Sequence, residues 1–182
     1  MDEAAKQELL QTAWKSIHYG LSEHRPLHVP LAKSEQLNQP GASFVTLEKH
    51  HQLRGCIGSL EAHCSLIEDV ANNAFNAGFR DPRFPALKAE ELDQLDLQIS
   101  ILTKPVAINF SSEADLLNQL QPGEDGILFE AGGYRSTFLP QVWEQLPTPH
   151  QFMAHLKQKA GLNADYWGPD VRIKRYRVEK LH

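Results

Sequence analysis

The sequence predicts an α+β domain: a mainly antiparallel sheet with packed helices. Three observations predict it. Helical and strand-like segments are interspersed without the regular alternation of a doubly wound parallel sheet. Several apolar runs come as close pairs separated by turn residues, as hairpins do. Leu95, Leu97, Ile99 and Ile101 alternate with Asp96, Gln98 and Ser100 in the period of two that marks a half-buried strand.

Along the chain, residues 2–19 place Leu9, Leu10, Ala13, Trp14 and Ile17 at spacings of three and four, which predicts an amphipathic first helix. Pro26, Pro30 and Pro40 then mark a long surface connection. Residues 42–48 read as a strand, residues 49–52 as a turn, and a second strand from Leu53 carries Gly55, Cys56 and Gly58. Ser65 with Glu68 predicts a capping box opening a helix lined by Leu66, Val70, Ala74 and Phe75. Asp81, Pro82 and Pro85 end it, and the strand at 95–101 follows. A short helix from Ser111 or Ser112 to Leu120 leads through a Pro122-Gly123 turn into a strand at 127–130. Gly132-Gly133 predicts a hairpin into 134–139. Thr148, Pro149, Gln151 and Gly161 mark both ends of another helix. Residues 171–178 read as a last strand whose Arg172, Lys174, Arg175 and Arg177 would guard a sheet edge.

Composition bounds the function. The chain has 182 residues, of which 41% are hydrophobic, and a formal net charge of −5. That places it among globular chains of one-domain size and argues against a general nucleic-acid sponge. No run approaches the roughly 18 apolar residues of a membrane span, and the N-terminus is acidic where a signal peptide is basic, so a cytoplasmic protein without membrane partners is expected. Two cysteines, Cys56 and Cys64, are too few to staple a secreted fold of this size, and both are expected reduced.

The densest chemical cue is Leu53-Arg54-Gly55-Cys56-Ile57-Gly58. Two glycines beside a thiol permit close approach of a ligand or another backbone, and Arg54 two residues before Cys56 would share its side of a strand and favour the thiolate. Packing offers the other reading: Cys56 as a small buried hydrophobe, the glycines as a bulge, and Arg54 paired with an acid. Asp81-Pro82-Arg83-Phe84 offers either a carboxylate–guanidinium clamp on a turn or an anion contact. His50, His51, Cys56, His63 and Cys64 have the ligand types of a zinc site but not its spacing, so no metal is expected. No phosphate loop, nucleophile elbow or dinucleotide fingerprint occurs, and no cofactor is expected.

The Leu-Arg-Gly-Cys-Ile-Gly run resembles the signature of the AMMECR-one domain family, whose prokaryotic members carry the AmmeMemoRadiSam system label. The likeness continues through Asp69-Val70-Ala71, Asn73-Ala74, Asp81-Pro82-Arg83-Phe84, Ile99-Ser100-Ile101-Leu102, Gly126-Ile127, Phe138-Leu139-Pro140-Gln141-Val142-Trp143 and Lys159-Ala160-Gly161-Leu162. It runs from about residue 40 to 180, with residues 1–40 as an N-terminal helix and connection, all within a single domain over 1–182. The resemblance implies a two-lobed α+β unit with a groove at the Arg-Gly-Cys-Ile-Gly strand. It also implies a role in transcription, translation or RNA modification, in company with a Memo-like and a radical SAM protein. Carried over, the positions of interest are Arg54, Gly55, Cys56, Gly58, Asp81, Arg83 and Phe84.

Two functions follow as expectations. One is a binding or adaptor component whose groove takes a peptide, a partner or, if Arg54, Arg83 and the 172–177 run line it, RNA. The other is an enzyme with Cys56 as reactive thiol, for which no motif supplies a base.

Overall fold

The computed structural model describes residues 1–182. In chain order the elements are α1 (Glu3–Glu23), β1 (Pro40–Lys49), β2 (Gln52–Gly58), β3 (Cys64–Ser65), α2 (Leu66–Phe79), β4 (Leu95–Leu102), β5 (Val106–Ala107), α3 (Glu113–Gln119), β6 (Gly126–Ala131), β7 (Tyr134–Phe138), α4 (Pro149–Lys159), β8 (Arg172–Tyr176) and β9 (Val178–Leu181). They form two compact units. Met1–Leu102 with Glu179–His182 make the first, and Thr103–Val178, inserted in sequence between β4 and the last strand, make the second.

The first unit has a sheet in the order β2-β1-β4-β9, with β3 pairing β1 off that path. β1 is antiparallel to β2, β3 and β4. Leu9, Ala13 and Ile17 of α1 and Ile67, Val70 and Ala74 of α2 are fully buried with Val45, Leu47 and Ile99 of the sheet. Each large side chain so removed from water stabilises the fold by about 1.5–3 kcal/mol. Asp2 caps α1 by accepting the Ala5 N–H at 2.8 Å. The Ser65 capping box does not form: Ser65 sits at the N-cap without a side-chain bond, and the Leu66 N–H goes to the Gln39 carbonyl. The β1–β3 bridge at Pro40 and Ser65 sets that entry instead. Asp69, one turn in, is turned to the sheet, where Oδ2 accepts from the Ser43 N–H at 2.8 Å and the Ser43 hydroxyl at 2.6 Å. Asn73 donates to the Ser43 carbonyl at 3.0 Å, so α2 is fastened to β1 by polar as well as apolar contacts.

The His50-His51 turn between β1 and β2 has both residues at positive φ, 52° and 61°, the conformation that two-residue hairpins require. β2 also carries a bulge. Leu47 pairs with Gly55 while Glu48 pairs with Leu53, leaving Arg54 as the extra residue.

The second unit has an antiparallel sheet in the order β5-β8-β6-β7. Phe129, Ile127 and Ile173 from this sheet are buried with Leu116 of α3 and Phe152 and Leu156 of α4. Trp143 stacks on Phe152 with centroids 3.8 Å apart. The expectation of a basic edge strand at 171–178 is corrected. The stretch divides into β8 and β9, and β8 lies inside its sheet, between β5 and β6. Its charge is accommodated by acids on adjoining segments: Arg175 lies 3.0 Å from Asp125 and Lys174 3.7 Å from Glu130, while Arg177 pairs with Glu124 and Asp125.

Candidate functional site

β2 is the outer strand of its sheet, so its outward N–H and C=O groups need partners from elsewhere. At Cys56 the turn after α2 supplies them. Asp81 Oδ2 accepts the Cys56 N–H at 2.9 Å, and Arg83 Nη2 donates to the Cys56 carbonyl at 3.2 Å. Arg83 is itself gripped by Asp81. Nε reaches Oδ1 at 2.9 Å, Nη2 reaches Oδ2 at 2.7 Å, and the Arg83 N–H reaches Oδ1 at 3.1 Å. Asp81-Pro82-Arg83 thus meets the exposed edge of β2 as a short strand would. The sequence left a turn clamp and a contact to something else as alternatives; within the chain, Asp81 and Arg83 form the clamp and also hold the Cys56 peptide.

The electrostatics follow from this geometry. Hydrogen bonds from Arg83, then from the Cys56 and Arg83 amides, hold the Asp81 carboxyl well below the usual carboxylate range against the cost of its burial. Asp81 in turn raises the Arg83 guanidinium, with a smaller contribution from charge on Cys56. Arg83, rather than Arg54, is thus the guanidinium bonded to Cys56, through the Cys56 carbonyl.

Arg54 goes elsewhere because of the bulge. Spacing alone places Arg54 and Cys56 on one side of the strand, but the extra residue breaks that alternation. The buried Arg54 guanidinium makes a two-pronged pair with Glu91, Nε to Oε1 and Nη2 to Oε2, both at 3.0 Å. Lys49 reaches the same carboxylate at 3.4 Å. Glu91 is drawn down to about 2, chiefly by the Arg54 bond. The remaining nitrogen, Arg54 Nη1, is buried without a hydrogen-bond partner. Phe84 lies near both cations, with its ring centroid 6.0 Å from Arg54 Cζ and 5.5 Å from Arg83 Cζ.

The Cys56 side chain is half-buried and meets Thr46, its cross-strand neighbour, whose hydroxyl lies 3.2 Å from Sγ. The glycines have steric reasons. A Cβ on Gly55 would stand 2.1 Å from the Ala77 carbonyl oxygen of α2, and one on Gly58 would stand 2.2 Å from the Phe44 ring. Gly55 permits the helix to lie directly on the strand.

The His and Cys residues weighed as metal ligands are dispersed. His50 and His51 form the hairpin turn, Cys64 pairs with Gly41 on β1, and the exposed His63 lies 3.7 Å from Glu61. No group of three or more His, Cys, Asp or Glu side chains is arranged to hold an ion. Sequence reasoning did not single out Thr46 or Glu91. Thr46 is one alternating residue of a strand, and Glu91 lies in the polar 3-10 turn Ala89–Gln94, where nothing in the pattern distinguishes it from Glu90.

The family model described as AMMECR1 matches residues 10–181. The chain belongs to the AMMECR1 family. A relative from Methanothermobacter thermautotrophicus is 35% identical over 180 residues, covering 96% of this chain and 92% of its own. Protein MJ0810 of Methanocaldococcus jannaschii is 38% identical over 153 residues, covering 80% and 74% respectively. The crystal structure of uncharacterized protein PH0010 from Pyrococcus horikoshii matches with a TM-score of 0.89 at 29% identity, covering 99% of this chain and 92% of that one. Within this AMMECR1 chain, the signature residues Arg54 to Gly58 and Asp81 to Phe84 are brought to one edge of the first sheet. No helix is long and apolar enough to cross a membrane.

Proposed function

We propose that this AMMECR1 protein is a binding or adaptor component of a cytoplasmic modification system that also contains a Memo-like and a radical SAM protein, and that the face around Cys56, Arg83 and Phe84 is its recognition surface. One observation carries the reading: both signature cations are closed onto internal carboxylates, and the side chain that meets the Cys56 thiol is a threonine hydroxyl rather than a base. Such an arrangement fixes a surface in place. Nucleophilic catalysis asks for a base at the thiol or a cation free to favour the thiolate, and the Arg83 charge is met by Asp81. Arg83 and Phe84 remain partly exposed and give that surface a cation beside an aromatic ring.

The test is recovery of the Memo-like and radical SAM proteins from cell extract on the immobilised chain. Arg83→Ala and Phe84→Leu, each checked for an intact melting transition, are expected to lose them, and Cys56→Ser to keep them. Loss on Cys56→Ser alone, with rapid alkylation of Cys56 at neutral pH, would overturn this reading in favour of an enzyme using Cys56 as a reactive thiol in RNA or protein modification.

A further inference from the structure

The second unit contains a cavity of about 820 Å³ that none of the signature residues lines. It lies where the chain leaving β5 runs beside the start of β8, and its volume falls within the roughly 300–1,000 Å³ of small-molecule sites. Two aromatic rings form part of its wall: Phe110 and Trp167, with centroids 5.4 Å apart and planes inclined at 55°. Trp167 is held in place. The Lys157 ammonium, fully buried and paired with Glu113, stands 5.5 Å from the indole centroid and is not part of the cavity lining. Tyr166, its neighbour in sequence, donates to Asp170 at 2.8 Å, and the Val171 N–H closes onto the Gly168 carbonyl at 3.2 Å. The ring is thus carried on a pinned loop.

The same cavity is lined by Arg172, Lys174 and Glu130. Their charges do not cancel. Of the charged side chains in the lining, Glu130 lies 3.7 Å from Lys174 and also reaches Arg135 outside the lining, at 3.3 Å. Arg172 is exposed and uses Nη1 on two carbonyls of its own loop, those of Pro169 and Val171, which fixes the guanidinium without neutralising it. Arg172 is thus a guanidinium held in place beside a pinned aromatic wall, with Lys174 two residues on along the same strand. Asn109, exposed at the rim, adds an amide that can both donate and accept.

We infer that this cavity binds a nucleoside 5′-phosphate, its base against Trp167 and Phe110 and its phosphate on Arg172 and Lys174. An aromatic wall selects a planar ring and a guanidinium fork selects a phosphate, and only a ligand carrying both uses both. The ligand has two possible sources of the same chemistry, a free mononucleotide or one unpaired nucleotide of an RNA strand. The inference is independent of the adaptor reading, since it involves neither Cys56 nor the residues around it.

The experiment is isothermal titration of the full chain with AMP, with ribose 5-phosphate and with adenosine, repeated on Arg172→Ala and Trp167→Leu. AMP is expected to bind at least about tenfold more tightly than either fragment, because each fragment lacks one of the two contacts. Arg172→Ala, a surface change, is expected to weaken AMP about tenfold while leaving adenosine unchanged. Trp167→Leu is expected to bring AMP down to ribose 5-phosphate. Should that variant fail to fold, Arg172→Ala still decides the phosphate contact and the ribose 5-phosphate comparison still decides the stacking contact. A single-stranded oligoadenylate binding more tightly than AMP, with the same loss on Arg172→Ala, would identify RNA as the source; equal affinity would identify the free nucleotide. No heat with millimolar AMP, equal binding of AMP and ribose 5-phosphate, or AMP binding unaffected by Arg172→Ala would each overturn the assignment. None of these outcomes alters partner recovery through Arg83.

Discussion

Asp81 holds the Cys56 peptide: its Oδ2 accepts the Cys56 N–H at 2.9 Å while the same carboxylate grips Arg83, which returns a bond to the Cys56 carbonyl. A carboxylate whose folded-state pKa is depressed contributes stability that is present above its unfolded value and lost as pH falls through the folded one. Asp81 and Glu91 are both depressed, so both contributions are complete above about pH 5 and fade below it. Asp81→Asn keeps one oxygen, which in the place of Oδ2 can still accept from the Cys56 amide and Arg83 Nη2, but it removes the charge and sets an NH2 donor against the Arg83 Nε and N–H that Oδ1 accepts. It is expected to cost about 1–3 kcal/mol in urea unfolding at pH 7 and to flatten the acid limb of the stability profile. An unchanged urea midpoint at pH 7 and at pH 3 would show that the clamp contributes nothing.

The Arg54–Glu91 pair makes a second, separable prediction. Removing Glu91 leaves a buried guanidinium whose Nη1 already lacks a partner, so Glu91→Ala is expected to cost about 3 kcal/mol. Arg54→Ala leaves a carboxylate that Lys49 and the Lys88 N–H still reach, and is expected to cost less. In a double-mutant cycle read by urea unfolding, the double variant should be less costly than the sum by at least about 1 kcal/mol. Additive costs would mean that the two side chains are not coupled.

The two signature glycines should differ in whether they can be rescued. A methyl at Gly58 meets the Phe44 ring, a side chain that can be shortened, whereas a methyl at Gly55 meets the backbone oxygen of Ala77. Both Gly→Ala changes are expected to cost about 2–3 kcal/mol. Adding Phe44→Ala should recover part of the Gly58→Ala loss in thermal unfolding. No side-chain change at Ala77 should recover Gly55→Ala, and a Gly55→Ala protein as stable as the native one would contradict the close approach of α2 to β2.

Local patterns made much of the fold legible in the sequence. The alternation of Leu95 to Ile101 is the strand β4, Thr148 and Gly161 bracket α4, and Gly132-Gly133 turns β6 into β7 with both residues at positive φ. These features depend on neighbours in the chain. What was not legible depends on partners distant in sequence. The bulge that parts Arg54 from Cys56 is set by the register against β1, and the choice of Glu91 over Glu90 by where the 3-10 turn places each side chain. The run at 171–178 looked like an edge strand because its composition suits one. Its interior position becomes reasonable only once Asp125, Glu124 and Glu130 stand beside it. The candidate site shows the same division: the glycines and the Asp81–Arg83 turn could be read from the sequence, while Thr46 and Glu91 could not.

Cys64 offers the last prediction, because its surroundings oppose ionisation. Burial raises the thiol first, and the negative charges of Asp69 and Glu68 add to it. Titrating the protein with iodoacetamide from pH 5 to 10, and reading the Cys64 peptide by mass spectrometry, is expected to give a midpoint above the roughly 8.5 of an unperturbed thiol. Glu68→Gln removes one of the two charges without disturbing the Asp69 bonds to Ser43, so it should move that midpoint down while leaving unfolding by urea nearly unchanged. Asp69→Asn should also lower it, but at a cost in stability, because Asp69 fastens α2 to β1. If neither substitution moves the midpoint, burial alone sets the Cys64 thiol and the carboxylates beside it are electrostatically silent.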